Sequence, residues 1–187
     1  MLMKIAVIML AAGNSRRFGS NKLLYEIEGR PMYQHTLDKL AAIPDVSLTV
    51  VTQYDEVAQE AMAKGARVLY NPHPDEGISS SLKIGLKANL DADACLFAVA
   101  DQPWLSQDTP GKLIQLFLAS GKGIACVSCG GKLGNPCVFS QKYYPELLEL
   151  TGDTGGKHVI TANREDTALL PVEDSRELTD VDCRKNL

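Results

Sequence analysis

The sequence predicts a three-layer α/β/α domain built on a mostly parallel, doubly wound sheet. Two observations carry this. Apolar runs at residues 5–9, 46–52 and 94–100 lack the polar alternation of a half-exposed strand, as strands covered on both faces do. Segments of helix length lie between them, and that alternation makes a doubly wound sheet rather than a sandwich or bundle. At 187 residues the chain fills one core and is short for two, so residues 1–187 are expected to form a single domain.

In chain order, the first strand leads into Leu10-Ala11-Ala12-Gly13-Asn14-Ser15-Arg16-Arg17-Phe18-Gly19-Ser20-Asn21-Lys22. Small residues and Gly13 allow a tight turn that exposes backbone N–H groups. Two arginines and a lysine follow with no carboxylate among them, so this loop suits a triphosphate; a surface turn with solvated basic residues is the plainer role. Residues 25–29 read as a short extended piece with a turn. Pro31 opens a helix with Met32, Leu37, Leu40 and Ala41 on its apolar side. Residues 46–52 are β-branched and apolar, a second buried strand. Residues 54–64 read as a surface helix ended by Gly65, and 67–70 as a third strand. A turn-rich loop over 71–77 precedes Ser79-Ser80-Ser81, which can cap a helix through Leu82, Ile84, Leu86 and Ala88; the free N–H groups there can also receive an anion.

Residues 94–100 form the most apolar run and are expected to be the central strand, ending abruptly on Asp101-Gln102-Pro103. A helix over 109–120 and a strand over 123–127 follow. Gly130-Gly131 reads as a turn, and Gly134-Asn135-Pro136 as a loop entering an extended piece. Helices are expected over 143–150 and from 157 to about 163, with a strand over 168–172. The chain then closes on Thr179-Asp180-Val181-Asp182 and five further residues.

Composition removes several classes. With 45% hydrophobic and 22% charged residues and a net charge of −4, the chain has no basis for a broad nucleic-acid-binding face. No apolar run reaches the length of a membrane span, and the N-terminal run is broken by Gly13 and arginines, unlike a secretory signal. A cytoplasmic setting is expected. The five cysteines, Cys95, Cys126, Cys129, Cys137 and Cys183, are odd in number and suit free thiols. The single Cys126-Val127-Ser128-Cys129 lacks the second ligand pair that zinc needs. His35, His73 and His158 are scattered, and no cysteine has an evident base, so covalent catalysis has no support.

Two acidic features remain. Asp101 at the end of an apolar strand is costly to bury unless it is paired, hydrogen-bonded or metal-bound. Ligands of such sheets bind outside the carboxyl ends of the strands, which puts residues 10–22 and Asp101 on one edge. A carboxylate beside a phosphate loop suits Mg²⁺; a helix cap is the plainer role. Asp180 and Asp182 alternate, so in an extended segment both face one side; equally, they suit a frayed acidic tail. The P-loop spacing fails because Phe18 stands where its second glycine belongs, and no glycine lies two residues after Gly13 for a dinucleotide fingerprint.

Taken together, these residues resemble the MobA-like nucleotidyltransferase family, nearest its molybdenum cofactor cytidylyltransferases. The signature L-A-A-G-x-S-x-R-x-G-x-x-K matches residues 10–22 and puts the family arginine at Arg17. Further matches are Asn71-Pro72, Gly77 with Ser81-Leu82, Asp101-Gln102-Pro103, Gly134-Asn135-Pro136, Gly152-Asp153-Thr154-Gly155-Gly156 and Asp180-Val181-Asp182. Phe18 replaces a usual methionine, and the chain departs from the family pattern after Asp182.

The resemblance implies a Rossmann-like nucleotidyltransferase sheet and Mg²⁺-dependent transfer of CMP from CTP to the terminal phosphate of molybdopterin. It implies catalytic roles for Arg17, Lys22 and Asp101, with Asp101 and Asp182 on the metal. Nucleotide contacts fall to Leu10, Ala11, Ala12, Gly13, Ser15, Lys22, Thr52, Asn71 and Ser81, and acceptor contacts to Asn135, Pro136, Asp153, Gly155 and Gly156. Ala12 supplies a methyl where the guanylyl type has glycine, which favours a pyrimidine. A molybdoenzyme would be the partner, with no nucleic acid or membrane. The alternatives are GTP as donor, a sugar or alcohol phosphate as acceptor, or a non-catalytic carrier of nucleotide or cofactor.

Overall fold

The computed structural model describes residues 3–16 and 18–182. Its strands are β1 (Ile5–Ala11), β2 (Glu26–Ile27), β3 (Arg30–Pro31), β4 (Ser47–Thr52), β5 (Arg67–Tyr70), β6 (Ala94–Val99), β7 (Ile124–Cys129), β8 (Lys132–Ser140) and β9 (Thr167–Pro171). The helices are α1 (Met32–Ala41), α2 (Asp55–Ala63), α3 (Ile78–Lys87), α4 (Thr109–Ser120), α5 (Tyr144–Leu148) and α6 (Gly156–Ala162). Seven strands form one sheet in the order β5-β4-β1-β6-β8-β7-β9, and β2 and β3 form a separate hairpin. Only β8 runs antiparallel to its neighbours, β6 and β7; the other described pairs of the large sheet are parallel.

The sheet is a mostly parallel layer between two helical layers, as expected. Period-two alternation within wholly apolar β1 divides the core. Ile5, Val7, Met9 and Ala11 join a cluster with Leu37 and Leu40 of α1, Val57 of α2 and Phe117 of α4. Ala6, Ile8 and Leu10 face the other side, with Leu82 and Leu86 of α3, Leu147 of α5 and Val159 of α6. A helix covers each face, which is why no polar residue interrupts the strand. β6 is the central strand by position. The chain leaves β1 for β4 on one side and later returns to β6 on the other, creating a switch point above the ends of β1 and β6.

Local expectations differ from the structure at four places. Gly77, not a serine, precedes α3, with φ +83°, a left-handed conformation that favours glycine; the three serines sit buried in the first turn. Residues 134–136 belong to β8, where a register shift opposite Cys126 and Val127 leaves Asn135 and Pro136 without ladder partners. Ala41 is exposed at the end of α1, while Tyr33 and Thr36 complete its buried side. The helix expected over 143–150 is the shorter α5 after a 3-10 turn at Gln141–Tyr143.

Candidate active site

A cavity of about 420 Å³ opens above the switch point, lined by the residue 10–16 loop, Lys22, Ser81, Asp101, Asp153, Asp180 and Asp182 among others. The loop turns at Ser15, whose φ of +53° is left-handed. A non-glycine residue there is strained by about 1 kcal/mol. The Ser15 hydroxyl holds the turn by accepting from Lys22 N (3.1 Å), and Phe18 N donates to Ser15 O (2.9 Å). Asn21 caps the next 3-10 turn, Lys22–Leu24, so Lys22 leaves the loop in a set direction.

Lys22 reaches the floor of the cavity. Its Nζ donates to Asp101 Oδ2 (2.6 Å) and Asp182 Oδ1 (3.2 Å), and its side chain is 12% exposed. Burial opposes the charge, but the Asp101 and Asp182 carboxylates outweigh it and hold the ammonium above its ordinary pKa. Asp180 accepts from Gln102 Nε2 (2.8 Å). Burial first, then the Asp101 charge, pushes Asp180 up to about 6.

The segment 180–182 is docked rather than frayed. Val181 N donates to Asp101 O (3.0 Å). The Val181 side chain is fully buried in a separate apolar cluster with Phe18, Ile27 and Met32, against which Trp104 packs. With Val181 turned inward, Asp180 and Asp182 both line the cavity, as alternation on an extended segment requires.

Two oxygens from separate carboxylates already converge on one ammonium, and Asp180 lines the same cavity. Among the described residues, no three His, Cys, Asp or Glu side chains form a group that could hold a metal unaided. The Asp101 and Asp182 oxygens, which meet at one point, fit a cation that takes one or two carboxylates and completes its shell with phosphate and water, as Mg²⁺ does.

The other expected residues that the structure describes divide into three sets. Leu10, Ala11, Ala12, Gly13, Ser15, Ser81 and Asp153 line the cavity. Thr52 and Asn71 are buried behind its wall. Asn71 Nδ2 donates to Ser81 Oγ (2.9 Å), tying the loop before α3 to the helix. Ser79 N donates to Gly152 O (3.2 Å), bringing the Asp153 loop alongside α3. Asn135, Pro136, Gly155 and Gly156 lie outside the cavity lining; a Cβ on Gly156 would stand 2.8 Å from the Phe139 ring. Arg17 lies outside the described residues.

The residue-by-residue reading missed Gln53, Tyr54 and Asp75. Asp75 Oδ1 accepts from Asn14 Nδ2 (2.7 Å) and Arg16 (2.5 Å), spanning the cavity mouth. No local pattern marks these three as site residues, because their roles depend on which strand ends stand side by side. Loop N–H groups, a buried lysine and the Asp101 and Asp182 carboxylates are groups that can bind phosphate and a metal ion.

Comparison with known proteins identifies the family. A family model described as "MobA-like NTP transferase domain" matches residues 7–168. The chain is 27% identical to the purine catabolism protein PucB of Bacillus subtilis, over 94% of this chain and 90% of that one. It is 30% identical to a probable molybdenum cofactor guanylyltransferase of Thermococcus gammatolerans, over 88% and 85% respectively. Among solved structures, Rv0371c from Mycobacterium tuberculosis superposes with a TM-score of 0.83 at 25% identity, covering 100% of this chain and 96% of that one.

Proposed function

Because the chain belongs to the MobA-like NTP transferase family, we infer that this nucleotidyltransferase transfers CMP from CTP to the terminal phosphate of molybdopterin, with Mg²⁺ as the metal. The observation that carries the reaction class is the meeting of Lys22, Asp101 and Asp182 beneath the phosphate loop. A phosphate monoester has a second pKa near 6 and is already a nucleophile at neutral pH, so no general base is needed. Its oxygen attacks the α-phosphorus, a new P–O–P bond forms, the α–β bond breaks, and pyrophosphate leaves with the electron pair. The protein's task is alignment and charge neutralisation.

The N–H groups of the residue 12–14 loop would bind the triphosphate, and Lys22 would offset charge on the leaving pyrophosphate. Arg17 carries the same role by its place in the motif. Asp101 and Asp182 would hold Mg²⁺, which screens phosphate charge. Ser81 supports the nucleoside side, with Thr52 and Asn71 acting from behind the wall, and Asp153 stands on the wall assigned to the acceptor. Asn135, Pro136, Gly155 and Gly156 would bear on the acceptor from outside the lining described.

The Ala12 methyl on the cavity wall favours a pyrimidine over the larger purine. A second reading has GTP as donor, favoured by relatives named as guanylyltransferases. A molybdoenzyme would receive the product. Pyrophosphate release measured with each of the four NTPs and molybdopterin decides among these. Release with CTP alone supports the first reading and release with GTP the second. Release only with a sugar phosphate acceptor overturns the pterin, and no release with any pair overturns the transferase assignment.

A further inference from the structure

The phosphate loop and the segment ending β4 face each other residue for residue. Thr52 Oγ1 donates to Ala11 O (2.9 Å), Gln53 Nε2 to Ala12 O (2.8 Å) and Tyr54 Oη to Gly13 O (2.6 Å). Strand register produces this. Ala11 and Thr52 are the last partners of the parallel β1–β4 ladder, so both strands leave the sheet at one level and run on side by side. Where backbone pairing stops, three side chains continue it.

Their direction has a consequence for the cavity. In a trans peptide the C=O and the following N–H point opposite ways. Carbonyls turned toward β4 leave the N–H groups of Ala12, Gly13 and Asn14 turned away from it, on residues that line the cavity. Successive N–H groups facing a concavity bind anions. Gln53 Nε2 also donates to Asn14 Oδ1 (2.8 Å). The Ser15 Oγ accepts from Lys22 N (3.1 Å). The contacts thus run from the Ala11 carbonyl to the Asn14 side chain.

We propose that Thr52, Gln53 and Tyr54 are positioning residues that set the peptide planes of the phosphate loop and so prepare it for the triphosphate. None needs to touch the nucleotide. This rests on the reading of the cavity as a nucleoside triphosphate site. Gln53 and Tyr54 are only half-buried, so the fold does not depend on them as it depends on the core.

Calorimetric titration of the full chain with each of the four NTPs, in Mg²⁺ and without acceptor, separates the outcomes. If the wild type binds none, the nucleotide reading fails and takes this inference with it. If it binds, Tyr54→Phe and Gln53→Met should each weaken affinity about three- to tenfold, the scale of one hydrogen bond, while the nucleotide-free unfolding temperature stays put. In turnover the NTP KM should rise with kcat within about twofold. Unchanged affinity in both variants overturns the inference and leaves the nucleotide reading standing. Thr52→Val strips a buried hydroxyl and can destabilise by itself, so it is paired with Thr52→Ser. Affinity lost in the valine variant and restored in the serine variant supports the Thr52 share; loss in both overturns it.

Discussion

Lys22 concentrates the chemistry at the scale of single residues. It is held by two carboxylates that lie 79 and 160 positions away in the chain. Lys22→Ala should lower kcat by about two orders of magnitude or more, as loss of a charge contact to a developing anion does. Thermal unfolding should shift only modestly, because nearly all the large buried side chains lie in the two sheet faces. Steady-state kinetics with a melting curve checks both; a variant that no longer folds would make Lys22 a structural residue instead. The lysine itself was legible in the sequence, since its spacing from Gly13 completes a motif. Its ion-pair partners were legible only as candidates, because a carboxylate ending a strand can cap a helix as well as bind a cation.

At the scale of elements, residues 179–182 illustrate what local pattern leaves open. The same acidic stretch suits a frayed tail or a docked strand, and burial of Val181 decides for docking. Val181→Ala removes two buried methyl groups and should cost about 1–3 kcal/mol of stability. Because Val181 sets where Asp180 and Asp182 stand, activity should fall further than stability, which an assay well below the melting temperature would resolve. A second prediction concerns the turn before β9. The Lys142 ammonium first, then the Tyr143 hydroxyl and the Gly123 amide, hold Asp166 well below the usual carboxylate range. The native state therefore binds this proton less readily than the unfolded chain does. The stabilisation is complete above the ordinary carboxylate pKa of about 4 and is lost as pH falls through and below it. Asp166→Asn should lower stability at neutral pH and flatten the acid limb of a stability–pH curve. An unchanged acid limb would count against this ion pair.

For the whole molecule, helix-on-sheet distance controls the cavity wall. A Cβ on Gly85 would stand 2.5 Å from Ile8 Cγ2 and 3.2 Å from Val51 Cγ2, so α3 lies close against β1 and β4 at this point. Gly85→Ala should destabilise by about 1–3 kcal/mol through overpacking and displace the helix that carries Ser81. Chemical denaturation measures the first effect and nucleotide affinity the second. Local pattern was enough for the parallel strands, their covering helices and the tight loop after β1, because apolar periodicity and turn chemistry act over a few residues. Only the folded chain brings β8 in antiparallel, buries Val181 so that segment 180–182 is held, and stands Thr52, Gln53 and Tyr54 against the loop carbonyls. Those outcomes join residues far apart in the chain, and which of them meet depends on strand order and register, which no local pattern encodes.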